Sequence, residues 1–146
     1  MEKILNKKAR FEYHFIKEYS AGIQLFGSEV KSIIAGYCNI SESYCYIFDG
    51  EIFIKNIYIA KYGEASYQNH EERRDRKLLL HKKEIREISK LTREKGITII
   101  PIEFDLKGSK FKMKIAVAKG KKLWDKRETI KGNDVKRELE RTYKYK

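Results

Sequence analysis

Tyr44-Cys45-Tyr46-Ile47-Phe48-Asp49-Gly50-Glu51-Ile52-Phe53-Ile54-Lys55 is the stretch on which the fold turns. Two runs of aromatic and β-branched residues flank an Asp-Gly pair, and such a pair favours a tight two-residue turn. The second run continues as Asn56-Ile57-Tyr58-Ile59. Tyr, Ile and Phe at this density suit a pleated, half-buried surface, so the stretch reads as a hairpin of a barrel or sandwich.

Working outward, a second pair of strands lies downstream, 97–104 and 111–117, with Gly108 in the turn between them. Phe111, Met113, Ile115 and Val117 alternate with Lys112 and Lys114, which puts apolar side chains on one face and cations on the other. Upstream, Phe11, Tyr13 and Phe15 alternate with polar residues. Ser20-Ala21-Gly22 reads as a turn and Ile23-Gln24-Leu25 as a short strand, so a further hairpin is expected there. Asn6 is placed to cap one short helical turn. Gly27-Ser28 opens a helix, with Ser28 as N-cap, Glu29 in the first turn and Gly36 at the end. Val30, Ile33 and Ile34 form its apolar stripe, and Lys31 faces solvent. Residues 61–76 lose all periodicity; Glu71-Glu72-Arg73-Arg74-Asp75-Arg76 reads as a long solvated loop. Leu78-Leu79-Leu80 re-enters the core. The strongest helical pattern is 81–95, with Ile85, Ile88 and Leu91 on its apolar face and Gly96 as its stop.

The fold expected is mainly β with helices: a small closed antiparallel OB-type barrel of about six strands with inserted helices, plus a basic C-terminal tail. The barrel is assigned to residues 1–118 and the tail to 119–146. The chain has 146 residues, 41% of them hydrophobic, which suits one domain with a real core. Its net charge of +12 predicts attraction to polyanions. No apolar run approaches the ~20 residues of a membrane span, and no signal peptide is seen, so a cytoplasmic protein without a membrane partner is expected. Cys38 and Cys45 are too few for a four-cysteine zinc site and read as free thiols in or near a core.

Half of the excess charge sits in the tail, where 119–146 carries 11 Lys and Arg against 5 Asp and Glu. It begins Lys119-Gly120-Lys121-Lys122-Leu123-Trp124-Asp125-Lys126-Arg127, with five cations and the only tryptophan in the chain. Cations neutralise phosphates and a ring stacks on an unpaired base, so this composition suits RNA. Val135, Leu139 and Tyr143 fall at i, i+4 and i+8 behind a possible cap at Asn133. A single helix of that length is marginal in water, so the tail is expected to be disordered when free and helical when bound.

Four stretches, in order, resemble one family, the SsrA-binding protein or SmpB family. They are Asn6-Lys7-Lys8-Ala9-Arg10; Gly27-Ser28-Glu29-Val30-Lys31-Ser32 with Gly36 and Asn39-Ile40; Arg76-Lys77-Leu78-Leu79-Leu80-His81-Lys82; and Ala118-Lys119-Gly120-Lys121-Lys122 with Asp125-Lys126-Arg127. The resemblance implies an oligonucleotide-binding-type barrel without catalytic activity. It implies binding to the tRNA-like domain of transfer-messenger RNA and delivery of that RNA to ribosomes stalled on messages lacking a stop codon. The tail would then enter the decoding centre and the empty mRNA channel as a helix, and the stalled peptide would be tagged for degradation. On this resemblance Asn6, Lys7, Arg10, Lys31, Arg76, Lys77 and His81 are expected to face transfer-messenger RNA. Lys119, Lys121, Lys122, Trp124, Asp125, Lys126 and Arg127 are expected to face small-subunit ribosomal RNA. Three features depart from the family pattern: Ser20 stands where a glutamate is frequent, 71–75 replaces a proline-containing loop, and little precedes Asn6.

Two other function classes compete. An RNA-cleaving or RNA-modifying enzyme would need a nucleophile, metal cluster or acid pair, and none stands out; His14 and His81 have no triad partners at recognisable spacing. Gly27 and Gly120 belong to no phosphate loop. No catalytic residue, metal ligand or cofactor is therefore assigned. A general single-stranded RNA-binding or ribosome-associated OB-fold protein would share the charge but bind single strands of any sequence. A monomer is expected.

Overall fold

The computed structural model of the chain describes residues 2–63, 69–122 and 127. Elements follow in the order β1 (Ile4–Leu5), α1 (Lys7–Glu12), β2 (Tyr13–Ile23), α2 (Gly27–Ile34), β3 (Cys38–Asn39), β4 (Tyr44–Phe48), β5 (Glu51–Lys55), β6 (Tyr58–Ile59), β7 (Arg76–Leu79), α3 (Lys82–Leu91), β8 (Ile97–Lys107) and β9 (Lys110–Gly120). The Asp-Gly turn is as expected: Asp49 and Gly50 both take positive φ, 51° and 73°, and Phe48 pairs with Glu51 across it.

β8 and β9 form the long hairpin turned at Gly108. From there the pairing runs β9 to β2, β2 to β7, β7 to β5, β5 to β4, and β4 back to β8, all antiparallel. Six strands thus close on themselves, which removes the exposed edges of an open sheet. β1 adds to the far end of β8, and β3 with β6 forms a separate two-stranded ribbon.

Inward side chains of the ring, among them Ile52, Ile54, Leu78, Phe104, Met113, Ile115 and Val117, are fully buried. Ile33 of α2 and Ile85 and Ile88 of α3 join them. A smaller core lies on the outer face of β8 and β9, where Ala9 of α1 packs with Ile100, Ile102, Ala116 and Ala118. β9 is therefore covered on both faces at 115–118. This is why its alternation gives way to the continuous apolar run Ile115-Ala116-Val117-Ala118.

Four local expectations are corrected. The hairpin expected at 20–22 does not exist, because β2 runs unbroken to Ile23. Gly22 stands opposite Leu79, and a Cβ on it would lie 3.2 Å from the Leu79 Cβ. The glycine therefore serves close packing of β2 on β7, not a turn. Phe11 and Glu12 belong to α1, and the strand begins at Tyr13. On α2 the buried residues are Glu29, Ser32 and Ile33, while Ile34 is 53% exposed. α3 stops at Leu91, with Thr92 as its C-cap. The helix expected around 135–143 lies outside the described residues.

Candidate nucleic-acid interface

Glu29 organises the loop before β7. Its carboxylate is fully buried and receives Arg76 Nε on one oxygen and Arg74 Nη2, at 2.5 Å, on the other. The Phe26 amide also donates to it at 2.8 Å, closing the start of α2. Burial by itself raises the Glu29 pKa; the Phe26 amide and the two guanidiniums outweigh burial and hold it below the usual carboxylate range. Arg76 is 0% exposed. It donates through Nη1 to the Ile57 carbonyl at 2.9 Å and through Nη2 to the Glu72 carbonyl at 3.3 Å. His70 is buried alongside. Its Nε2 donates to the Ile59 carbonyl at 2.9 Å, and its Nδ1 lies 2.8 Å from the Ser28 hydroxyl. Residues 69–75 are therefore tied down from several sides while Glu71, Arg73 and Asp75 remain exposed as expected, and the Ser28 hydroxyl is engaged there instead of capping α2.

A second assembly joins the start of the chain to the end of β9. Asn6 is 7% exposed. Its side chain donates to the Pro101 carbonyl at 2.8 Å and its amide to the Ile102 carbonyl at 3.0 Å. It thus fixes the entry to α1 on β8 and gives α1 no side-chain cap. Lys7 and Arg10 are exposed and border an open cavity of about 340 Å³ beside Asn6. β9 arrives next to them: Lys119 pairs with His14 and Gly120 with Tyr13. The Lys121 amide donates to the Glu12 carbonyl at 2.8 Å, and its Nζ to the Arg10 carbonyl at 3.0 Å. Arg10, Lys119 and Lys121, expected in two separate groups, thus share one end of the molecule, the end from which the tail departs.

Lys77 and His81 line a third region, a groove of about 460 Å³ that also contains Ser20, Lys82, Lys112 and Glu84. Lys77 is paired with Glu51 at 3.3 Å. His81 is exposed at the N-cap of α3, its amide donating to Glu84 Oε1 at 3.1 Å. Lys31 is exposed on α2, with its Nζ 5.3 Å from the Tyr62 ring centroid. Lys122 and Arg127 are exposed. Trp124, Asp125 and Lys126 lie outside the described residues.

Of the expected RNA-facing side chains that are described, then, Lys7, Arg10, Lys31, His81, Lys119, Lys122 and Arg127 are exposed, Lys77 and Lys121 are half-buried, and Asn6 and Arg76 are buried. In sequence Glu29 is marked only as a first-turn acid of its helix, and His70 and Arg74 are not marked as site residues. No linear signal marks how they meet, since Arg74 and Arg76 lie more than 40 positions from Glu29, and His70 more than 40 from Ser28. The two cysteines are free thiols; burial pushes Cys38 up to about 12 and Cys45 higher still. Among the described residues no helix is long and apolar enough to cross a membrane.

A model of the SmpB protein family matches residues 3–145 of the chain. The chain is 52% identical over 141 residues to the SsrA-binding protein of Acholeplasma laidlawii, covering 97% of this chain and 95% of that one. It is 48% identical over 147 residues to the SsrA-binding protein of a Sulfurihydrogenibium species, covering 99% and 97%. It is 46% identical over 142 residues to that of Phocaeicola vulgatus, covering 97% and 95%. A solved structure described as "tmRNA-SmpB: a journey to the center of the bacterial ribosome" superposes with a TM-score of 0.70 at 39% identity, over 84% of this chain and 87% of the other.

Proposed function

The chain belongs to the SmpB family, and on that premise we propose that it is the RNA-binding adaptor of trans-translation. It binds the tRNA-like domain of transfer-messenger RNA and delivers that RNA to stalled ribosomes, where the nascent peptide is tagged. The single observation that carries this reading is the family match, which runs from residue 3 to residue 145 and so includes both the barrel and the tail.

The position of the described cations supports a division of labour. Lys7 and Arg10 meet RNA phosphates, and Asn6 acts by setting the path of the chain that presents them. Arg76 acts in the same way: its guanidinium is spent on Glu29 and backbone carbonyls, so it holds the loop while Lys77 and His81 face the RNA. Lys119, Lys121 and Lys122 lead from the barrel into the ribosome-facing segment Trp124-Asp125-Lys126-Arg127. There Trp124 stacks on a ribosomal base, and Asp125 orients a neighbouring cation or accepts from a base amino group. The adaptor performs no bond chemistry and uses no cofactor. It works in the cytoplasm as a monomer.

The test is a filter-binding titration at near-physiological salt. It compares the tRNA-like domain with an ordinary tRNA and with a single-stranded RNA of equal length. A strong preference for the tRNA-like domain is expected. Equal binding to all three would mean that the charge acts generically and would move the protein to the class of general RNA binders.

A further inference from the structure

α3 turns a face of cations to solvent. Its buried residues, Ile85 and Ile88, pack into the barrel core. On the opposite side Lys82, Lys83, Arg86 and Lys90 fall within about 100° of the helix circumference. Arg93 follows just past the C-cap Thr92, and all five cations are exposed. Among the described residues none of the five is held by an ion pair or a side-chain hydrogen bond. The two acids of α3 are engaged to one side of this face. Glu84 accepts the His81 amide at 3.1 Å; Glu87 receives Lys17 and, at 2.7 Å, the Tyr19 hydroxyl, both from β2. Asp49 and Glu51 share a cleft with Lys82 and Arg86, and Glu51 is paired with Lys77 at 3.3 Å.

Local electrostatics oppose this arrangement. Like charges at 82 and 86, 83 and 86, and 86 and 90 repel along the helix, and Lys82 and Lys83 occupy the first turn, where the helix dipole disfavours cations. A polyanion relieves both. The face carries no ring and no large apolar side chain, and this selects among polyanionic partners. A protein interface is anchored by buried aromatic and aliphatic groups, a membrane-surface helix inserts an apolar face, and a single strand of RNA stacks its bases on rings. A double helix hides its bases and offers phosphates and sugar hydroxyls, which are read by shape and charge. The position of the face adds to this. It starts where Lys82 shares a groove with Lys77 and His81, and it ends where the chain enters β8, whose Ile97 pairs with Lys119. Over the ~15 Å length of α3 the face therefore connects the groove at Lys77 and His81 with the end of the molecule at Lys119.

We infer that Lys82, Lys83, Arg86, Lys90 and Arg93 form a track for the sugar-phosphate backbone of a double-helical arm of the tRNA-like domain. The inference rests on the adaptor reading, which supplies the RNA at both ends of the track. Contact is to phosphates alone, so the track sets orientation and affinity without reading sequence, and each cation lost removes about one unit from the salt dependence.

The experiment uses the full chain and the triple variant Arg86→Gln, Lys90→Gln, Arg93→Gln. Its control carries the same change in net charge away from α3: Lys55→Gln, Lys61→Gln, Lys107→Gln, three further exposed lysines. Each protein is titrated over a range of salt with the tRNA-like domain, a blunt 20-base-pair RNA duplex and a single-stranded RNA of equal length. The α3 variant is expected to bind the tRNA-like domain and the duplex more than about tenfold more weakly, with the salt slope lower by about 2–3, and the control within about twofold of wild type. The thermal transition of the α3 variant is expected to be unchanged or raised, because like-charge repulsion is removed. Equal losses in the two triple variants would reduce the track to bulk charge and overturn it. A loss on the single strand as large as on the duplex would overturn the choice of a double helix. Normal binding to the tRNA-like domain, with or without a defect on ribosomes, would overturn the assignment to this RNA. Wild type that shows no preference for the tRNA-like domain counts against the adaptor reading and removes that assignment with it, while the duplex comparison still reads the face itself.

Discussion

Glu29 concentrates more of the loop's organisation than any cation around it. Two guanidiniums and one amide meet on its carboxylate, and Arg76 has no access to solvent. Glu29→Gln keeps the volume and removes the charge, leaving Arg76 buried without its counter-ion. Breaking one side of a buried pair costs about 3–5 kcal/mol, and urea unfolding at neutral pH should read a loss of that order. The pH dependence has a definite sign. The folded pKa of Glu29 lies below the unfolded value of ~4.3. Its contribution is therefore complete above the unfolded value and declines as pH falls toward the folded one. The gap in stability between wild type and Glu29→Gln should accordingly be constant from neutral pH to about 5 and close below it; a gap that widened with acid would refute the assignment. A second check concerns the thiols. Raising Cys38 from 9.0 to about 12 lowers its thiolate fraction roughly a thousandfold, and the thiolate is the nucleophile. Iodoacetamide at pH 8 should leave both cysteines of the folded protein unmodified while alkylating both in urea. The thiols near a core could be read from composition. The burial of Arg76 could not, because an arginine is read as a surface residue until its buried partner is known, and that partner lies 47 positions away.

Among the elements, α3 separates stability from binding. Its start is closed by Glu84, whose carboxylate accepts the His81 amide at 3.1 Å. That bond uses the backbone of His81, not its imidazole. Glu84→Ala removes the cap and should cost about 1 kcal/mol, seen as a lowered thermal transition with RNA affinity retained. His81→Ala keeps the cap and should leave the transition in place. If the imidazole stacks on or pairs with RNA in the groove it shares with Lys77, the same variant should weaken binding to the tRNA-like domain about tenfold. Equal effects of the two substitutions on both readouts would mean that His81 matters only through α3. The elements themselves were legible where one local rule dominated. The Asp49-Gly50 hairpin followed from turn chemistry, and the pattern of β9 from alternation at Met113, Ile115 and Val117. β2 was misread because Gly22 answers a tertiary need, close approach to Leu79, which in sequence looks the same as a turn glycine. The face of α2 was misread because periodicity counts apolar residues, and its buried face includes Glu29 and Ser32.

At the scale of the whole molecule, the closed ring of strands and the cationic segment that follows it can be separated. Every pairing that closes the barrel ends by Gly120, and just beyond it the Lys121 amide donates to the Glu12 carbonyl. The segment 123–146 contributes a net charge of +3 to the total of +12, so most of the long-range attraction for RNA stays with the barrel. Ending the chain after Lys122 should therefore leave the unfolding transition in place and binding to the tRNA-like domain near normal. Tagging on stalled ribosomes should be lost, because the group proposed to face the decoding centre is gone. The triple substitution of Asp125, Lys126 and Arg127 by Ala should give the same split without shortening the chain. It separates loss of specific contacts from loss of bulk charge, since it removes only one net positive charge. Titration of each variant with the tRNA-like domain, beside a tagging assay on ribosomes stalled without a stop codon, reads both halves. A parallel fall in binding and tagging would mean that barrel and tail grip one RNA surface together, and the assignment of 119–127 to the ribosome would fail with it.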